Sequence, residues 1–270
     1  YGQLGYLPMI LQRFLAYDCN KICQESLTNN SLKLNQPCLL HVGVEKHNTQ
    51  SFLSCIADVF FQAKDHTKDK PDFYDDLEKT YEEIWKLLII GKAKAKSEFH
   101  QGYLATNNNE FPSIRTVVLR HVDKEKNSIS FHTDFRSKKI TELNNNNSVS
   151  MMFYDHGKKI QIKVSGKAEI NHKNEKSENA WKNTRPFSKK CYIVELPPGS
   201  NSNAPVSGYK KEHEESLPDI DILDRGYNNF SLIEIKIESI EWLYLHRHGH
   251  RRALFKIENK NKINQNWLTP

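Results

Sequence analysis

Long hydrophobic runs are missing from this chain of 270 residues. The longest candidate, Leu87-Leu88-Ile89-Ile90, is four residues, and a membrane-spanning helix needs roughly 20. No membrane partner is therefore expected. Apolar residues are scarce as a class, at 37%, below the roughly 45–50% of an average globular domain. The five cysteines are too few for a disulfide-dense framework. Cys19, Cys23, Cys38 and Cys55 crowd the first quarter, with Cys191 alone. Their spacing lacks the paired C-x2-C knuckles of a zinc site and reads as free structural thiols. Nothing asks for an oxidising compartment. An excess of one charge is nearly absent too: 39 Lys plus Arg against 33 Asp plus Glu leave +6. That suits solubility and an anionic ligand and is too weak to argue for a nucleic-acid partner. The chain starts at Tyr1 rather than Met, so any upstream targeting signal falls outside it, and a cytoplasmic location is the expectation.

What is present divides near residue 72. In residues 1–72, apolar positions recur at helical spacing over Leu7 to Tyr17 and again over Ser51 to Phe61, with a polar Asn- and Gln-rich stretch between. This part is expected to be a small, mostly helical segment. The run from Lys64 to Asp72 is charged, aperiodic and contains Pro71, as linkers do. Residues 73–270 change character. Asp75 or Asp76 can cap a helix through Leu77, Tyr81, Ile84, Trp85, Leu88 and Ile89. Short β-branched and aromatic runs then predict strands over 102–106, 113–122, 128–133, 149–154, 159–170, 230–237, 240–246 and 251–257. Short helices are expected at 137–143 and 174–183, and a long loop over 197–228. The pattern is that of an antiparallel barrel with inserted helices, a mainly β (α+β) fold.

Four stretches carry chemistry. Arg115-Thr-Val-Val-Leu-Arg120 is a strand with a cation near each end. Phe131-His-Thr133-Asp-Phe-Arg-Ser137-Lys138-Lys139 places hydroxyls and lysines where a strand hands over to a helix N-terminus, the combination that holds a phosphate. Gln161 lies inside a strand, where its amide can face a planar heterocycle or solvent. His246, His248 and His250 would share one face of an extended strand at spacing two. With no carboxylate closer than Glu241 to orient them, they read as a basic strand end, and no metal is expected.

These features occur in order from about residue 76 to Pro270, and together they resemble the pyridoxamine 5′-phosphate oxidase family of FMN-binding split barrels, in its divergent branch. Arg115 to Arg120 matches the family's R-x-V-x-L-[KR]. Phe131 to Lys139 matches F-x-T-x-x-x-S-[RK]-K, Gln161 to Gly166 matches Q-x-x-x-x-G, and His250-Arg-Arg252 matches H-x-R. The resemblance implies a Greek-key split β-barrel that binds FMN and forms a homodimer with the flavin at the interface. Arg115, Thr133, Ser137, Lys138 and Lys139 would hold the flavin phosphate and ribityl chain. Gln161 and Arg252 would reach the ring, and Arg120 both flavin and substrate. Trp181, Arg185, His248 and His250 would meet a substrate such as pyridoxamine or pyridoxine 5′-phosphate, with His250 and Arg120 at the reacting centre and Lys189 near the substrate phosphate.

The implied activity is hydride transfer from substrate to FMN and then to dioxygen. The sequence departs from the family at His248, where the oxidases carry Arg, and after Arg185-Pro186. The family's tryptophan near the last strands corresponds to Trp242 only with a one-residue shift. A flavin oxidoreductase or flavin reductase with another substrate, and a non-catalytic ligand-binding module, are the alternatives.

Overall fold

The alternation of apolar residues that begins at Gly102 closes on itself as a barrel. The computed structural model describes residues 5–6, 40–41, 70–108, 111–259 and 262–270. The chain divides into two units, Tyr1–Lys70 and Pro71–Pro270. In the first, β1 (Gly5–Tyr6) pairs antiparallel with β2 (Leu40–His41). The helices expected over 7–17 and 51–61, the first part of the linker and the four early cysteines lie outside the described residues.

The second unit opens with α1 (Leu77–Ala93). The Asp76 carboxylate accepts from the Lys79 N–H at 3.0 Å, meeting one of the unpaired donors of the first turn. Ile84, Trp85 and Leu88 lie on its buried face as the helical spacing predicts, joined by Leu87, whereas Ile89, expected on the same face, is exposed. Then come β3 (Gln101–Asn107), β4 (Pro112–Asp123), β5 (Ser128–Asp134), α2 (Lys138–Asn145), β6 (Ser148–Asp155) and β7 (Ile160–Asn171). Helices α3 (Glu175–Lys182), α4 (Pro186–Lys189) and α5 (Ile220–Arg225) precede β8 (Phe230–Tyr244), β9 (Arg251–Asn259) and β10 (Lys262–Leu268).

All pairings are antiparallel, in the order β10-β9-β8-β5-β4-β3-β6-β7, and β7 also pairs with β8. That last pairing closes the barrel of β8, β5, β4, β3, β6 and β7. β8 pairs with β5 through Phe230–Lys236 and with β9 through Ser239–Tyr244. The change of neighbour half-way along one strand is where the barrel splits. The split-barrel fold expected from the sequence is the one observed.

Three local expectations change. The strands expected at 230–237 and 240–246 are one strand, β8. Ile235 and Ile237 point into the core, and so do Ile240 and Trp242, so the inward parity slips by one residue at Glu238. A bulge absorbs the slip: Ile237 faces Gly166 while Ser239 faces Ser165, leaving Glu238 unpaired. β8 ends at Tyr244, and residues 246–250 form a turn with Gly249 at φ +120°, so the three histidines do not share a strand face. The loop expected over 197–228 contains α5, and β10 has no counterpart among the expected strands.

The barrel core includes Leu104, Phe131, Phe153, Ile162, Ile235 and Phe255, each fully buried; such side chains contribute about 1.5–3 kcal/mol apiece. A second, smaller cluster of Trp181, Tyr192 and Phe230 lies where α3 and the following turn cover the outer face of β5 and β8.

Candidate functional site

The residues with the strongest phosphate-binding chemistry converge at one end of the barrel. On β4, Val117 and Leu119 point into the core, and Arg115 shares their face at the barrel mouth. On β5, Thr133 lies two residues beyond the core residue Phe131. The chain then turns: the Ser137 N–H and Oγ both donate to the Asp134 carbonyl, at 3.1 and 2.6 Å. Arg136 clamps the Asp134 carboxylate at 3.0 and 2.7 Å, which fixes the turn. Because the Ser137 hydroxyl is used this way, the first turn of α2 has no side-chain cap. Lys139 Nζ reaches back to Thr133 Oγ1 at 2.8 Å and Ser137 Oγ at 3.1 Å. Burial lowers the pKa of Lys139, and the neighbouring Arg115 charge lowers it further, against the pull of Asp134 and Glu142. Two cations that repel each other, two buried hydroxyls and uncapped amides therefore face one place. A phosphate dianion would relieve the repulsion and use the open donors, so the set fits the phosphate end of FMN. Lys138 is exposed on the first turn of α2.

The cradle contains residues that the motifs did not reveal. Glu142 of α2 is buried, with Arg115 Nη2 at 2.7 Å, Thr106 Oγ1 at 2.5 Å and Ser113 Oγ at 2.9 Å. Arg115 Nη1 also donates to Thr106 Oγ1. Burial alone would raise the Glu142 carboxyl; the hydrogen bonds from Thr106, Ser113 and Arg115 outweigh it and hold the group below the usual carboxylate range. This network ties β3, β4 and α2 together and orients the guanidinium. A Glu four residues into a helix carries no local sign of a partner 27 positions earlier.

A second group lies on the outer surface of the barrel wall. Gln161 alternates with the buried Ile160 and Ile162, so its amide faces outward, next to Tyr154 and Leu243, and it makes no hydrogen bond among the described residues. Arg252 follows in the same row, opposite Leu243. Glu241 pairs with Lys163 at 2.8 Å and with Arg252 at 2.8 Å. Trp242 points the other way, fully buried in the core.

A family model for the pyridoxamine 5′-phosphate oxidase FMN-binding domain matches residues 82–172, which include every cradle residue and Gln161. A pyridoxine/pyridoxamine 5′-phosphate oxidase 2 from Arabidopsis thaliana is 28% identical over 172 residues, covering 60% of this chain and 83% of that protein. Two solved structures share the fold. One is a pyridoxamine 5′-phosphate oxidase-related, FMN-binding protein from Nostoc punctiforme (18% identity, TM-score 0.56, 70% of this chain and 96% of that one). The other is PhzG from Burkholderia lata 383, solved with tetrahydrophenazine-1-carboxylic acid (18% identity, TM-score 0.52, 75% and 98%). Over residues 82–172 the chain is therefore similar to the FMN-binding domain of pyridoxamine 5′-phosphate oxidases, and beyond that segment the solved structures share its fold.

Apart from Arg120, the residues that the family resemblance assigns to substrate lie beyond the matched segment, and they are not gathered as tightly as the cradle. Trp181 is buried against Tyr192 and Phe230; its Nε1 donates to Asp224 at 3.0 Å, and Lys189 Nζ stands 4.8 Å above its ring. Lys189 is itself buried and paired with Asp224 at 2.8 Å, so it is committed to holding α4 on α5. Arg185 precedes Pro186 at the start of α4, exposed and without an ion pair among the described residues. Arg120 sits at a bulge, between the pairs Leu119–Phe131 and His121–Ser130. Its charge, after burial, contributes to pushing His132 down to about 4. His248 and His250 are exposed on the turn after β8. His248 Nε2 accepts from Arg247 Nε at 3.0 Å, and His250 Nδ1 accepts from the His246 N–H at 3.1 Å. The turn is tied down from outside: Tyr74 Oη donates to the Gly249 carbonyl at 2.6 Å, and Arg251 stacks 4.1 Å over the Tyr74 ring while pairing with Asp75 at 2.7 Å. Among the described residues, no helix is long and apolar enough to cross a membrane.

Proposed function

We propose that this protein is a member of the pyridoxamine 5′-phosphate oxidase-like family and an FMN-dependent oxidoreductase that oxidises a 5′-phosphorylated pyridoxamine or pyridoxine. The observation that carries this is the cradle: Thr133, Ser137 and Lys139 in mutual contact at the uncapped start of α2, with Arg115 held beside them. FMN bound there would accept a hydride from the substrate and pass the electrons to dioxygen. The chain's own part is to bind and orient. Lys139, Arg115 and the α2 amides neutralise the phosphate, and Gln161 and Arg252 offer an amide and a charge to a ring. Arg185, exposed and without an ion pair among the described residues, suits a substrate phosphate. The cradle faces the barrel mouth, whereas Gln161 and Arg252 face outward through the wall. One chain does not present both groups to the same side, and a second copy related by a two-fold axis would complete the site. We therefore propose a homodimer, with the exposed Tyr103 on β3 and Ile114 on β4 available for its interface. The exposed free thiol of Cys191 suits a reducing, cytoplasmic setting.

The purified protein is expected to be yellow and to form pyridoxal 5′-phosphate and hydrogen peroxide from pyridoxamine 5′-phosphate in air. Yellow protein without that turnover overturns the substrate. Colourless protein that takes up no added FMN overturns the flavin assignment and leaves a non-catalytic module. A second reading, a flavin oxidoreductase with another substrate, is favoured by one observation: His248 stands where the oxidases carry Arg and is engaged with its neighbour Arg247. Reduction of FMN by a nicotinamide cofactor would separate the two.

A further inference from the structure

Arg252, the residue proposed to bring positive charge to the flavin ring, is not a bare cation. Both its Nε (3.1 Å) and its Nη2 (2.8 Å) donate to Oε1 of Glu241. The other oxygen, Oε2, accepts from Lys163 Nζ at 2.8 Å. Three adjacent strands each supply one member. Lys163 of β7 lies directly opposite Glu241 of β8, and Arg252 of β9 lies opposite Leu243, one diagonal step along the same outer face. The Glu241 side chain is 14% exposed, against 40% for Lys163 and 36% for Arg252, so the carboxylate is the enclosed centre of the group. Burial alone would raise its pKa; the hydrogen bonds from Lys163 and Arg252, then their charges, more than offset this and keep it ionised. The triad therefore carries two positive charges and one negative. Arg252 is locked at two of its five donors, leaving the others to face outward.

We propose that Glu241 is a positioning residue that sets the reduction potential of the bound flavin, by fixing Arg252 and cancelling part of its field. This rests on Arg252 facing the flavin. A positive charge beside the ring favours the reduced, more negative flavin, and a carboxylate in contact with that charge weakens the preference. Removing the carboxylate and keeping both cations should make the flavin easier to reduce. Removing Lys163 and keeping the carboxylate should make it harder.

The test compares FMN-loaded wild type, Glu241→Gln and Lys163→Met by equilibration with a reference dye, with free FMN as the baseline. Glu241→Gln is expected to shift the two-electron equilibrium toward the reduced form by about tenfold, which is about +30 mV. Lys163→Met is expected to shift it the opposite way, so the proposal stays testable if one variant fails to fold. Sulfite, which adds to electron-poor flavins, is expected to bind Glu241→Gln about tenfold more tightly than wild type and Lys163→Met more weakly. Wild-type protein that loads FMN, with both variants at the wild-type potential, overturns the role of Glu241 and leaves the flavin assignment standing. Wild-type protein that takes up no FMN overturns both.

Discussion

Gly166 is the glycine of the Q-x-x-x-x-G strand, and the fold gives it a purely steric task. It lies on β7 at the bulge where the barrel closes onto β8. A Cβ built there would stand 2.0 Å from the Lys236 carbonyl oxygen, 2.9 Å from its carbon and 3.0 Å from Ile237 Cα. All three atoms are backbone, so no side chain can swing aside. Gly166→Ala must instead part the β7–β8 seam by more than an ångström, and the flanking Val164, Ile235 and Ile237 are core residues. Overpacking costs about 1–3 kcal/mol where neighbours can adjust, and a backbone clash belongs at the upper end, about 3 kcal/mol. For a unit the size of Pro71–Pro270 each kcal/mol moves the melting midpoint by about 2–4 °C, so a fall of about 6–12 °C is expected. Circular-dichroism melts of wild type, Gly166→Ala and Gly157→Ala test this. The nearest atom to a Cβ at Gly157 is Asp155 Oδ1 at 3.4 Å, so that variant controls for the alanine itself. A Gly166→Ala midpoint within 2 °C of wild type would refute the steric account.

Lys139→Ala and Arg115→Ala are each expected to weaken FMN binding about tenfold or more while changing riboflavin binding little; equal losses for both ligands in fluorescence-quenching titrations would show that the cradle does not hold the phosphate. Glu142→Ala breaks a buried ion pair and should cost about 3–5 kcal/mol in urea denaturation at pH 7. Because the Glu142 pKa is lowered by folding, its stabilisation is present above the ordinary value of 4.5 and is lost as pH falls below it. His132 works in a higher window. Its folded pKa of about 4 lies below the ordinary 6.5, so only the unfolded chain takes up the proton between these values and stability falls as the pH is lowered. Between pH 7 and pH 5 the wild type should lose about 2 kcal/mol more than His132→Leu in urea melts; equal losses would place the proton elsewhere. Tyr74→Phe removes a hydrogen bond worth about 1 kcal/mol from the Gly249 turn and should speed tryptic cleavage at Arg247 about fivefold. Unchanged cleavage would mean that the remaining contacts hold the turn unaided.

Much of the domain was legible because its information is local. The Asp76 cap, the period of α1 and the alternation of β3 to β7 each depend on neighbours a few residues apart. The Phe131–Lys139 motif of the cradle was legible for the same reason: Thr133, Ser137 and Lys139 lie on one turn and meet within it. What the sequence could not declare is what distant segments do to each other. β8 reads as two strands because its inward parity slips at Glu238, and only the pairing with Gly166 shows that the slip is a bulge. β10 lacks an apolar signal because it is a largely exposed edge. The His246–His250 run looks extended until Tyr74, from before α1, takes hold of its glycine. Charges show the same division. The sequence by itself determined which residues could hold a phosphate, since hydroxyls, lysines and a helix start announce that chemistry. Only the tertiary structure decided which charges remain available. It buries Lys189 on Asp224, pairs Arg115 with Glu142 across 27 positions, and joins Lys163 to Glu241 across 78. A Coulomb partner is chosen by distance in space, which the closure of the barrel sets and no local pattern records.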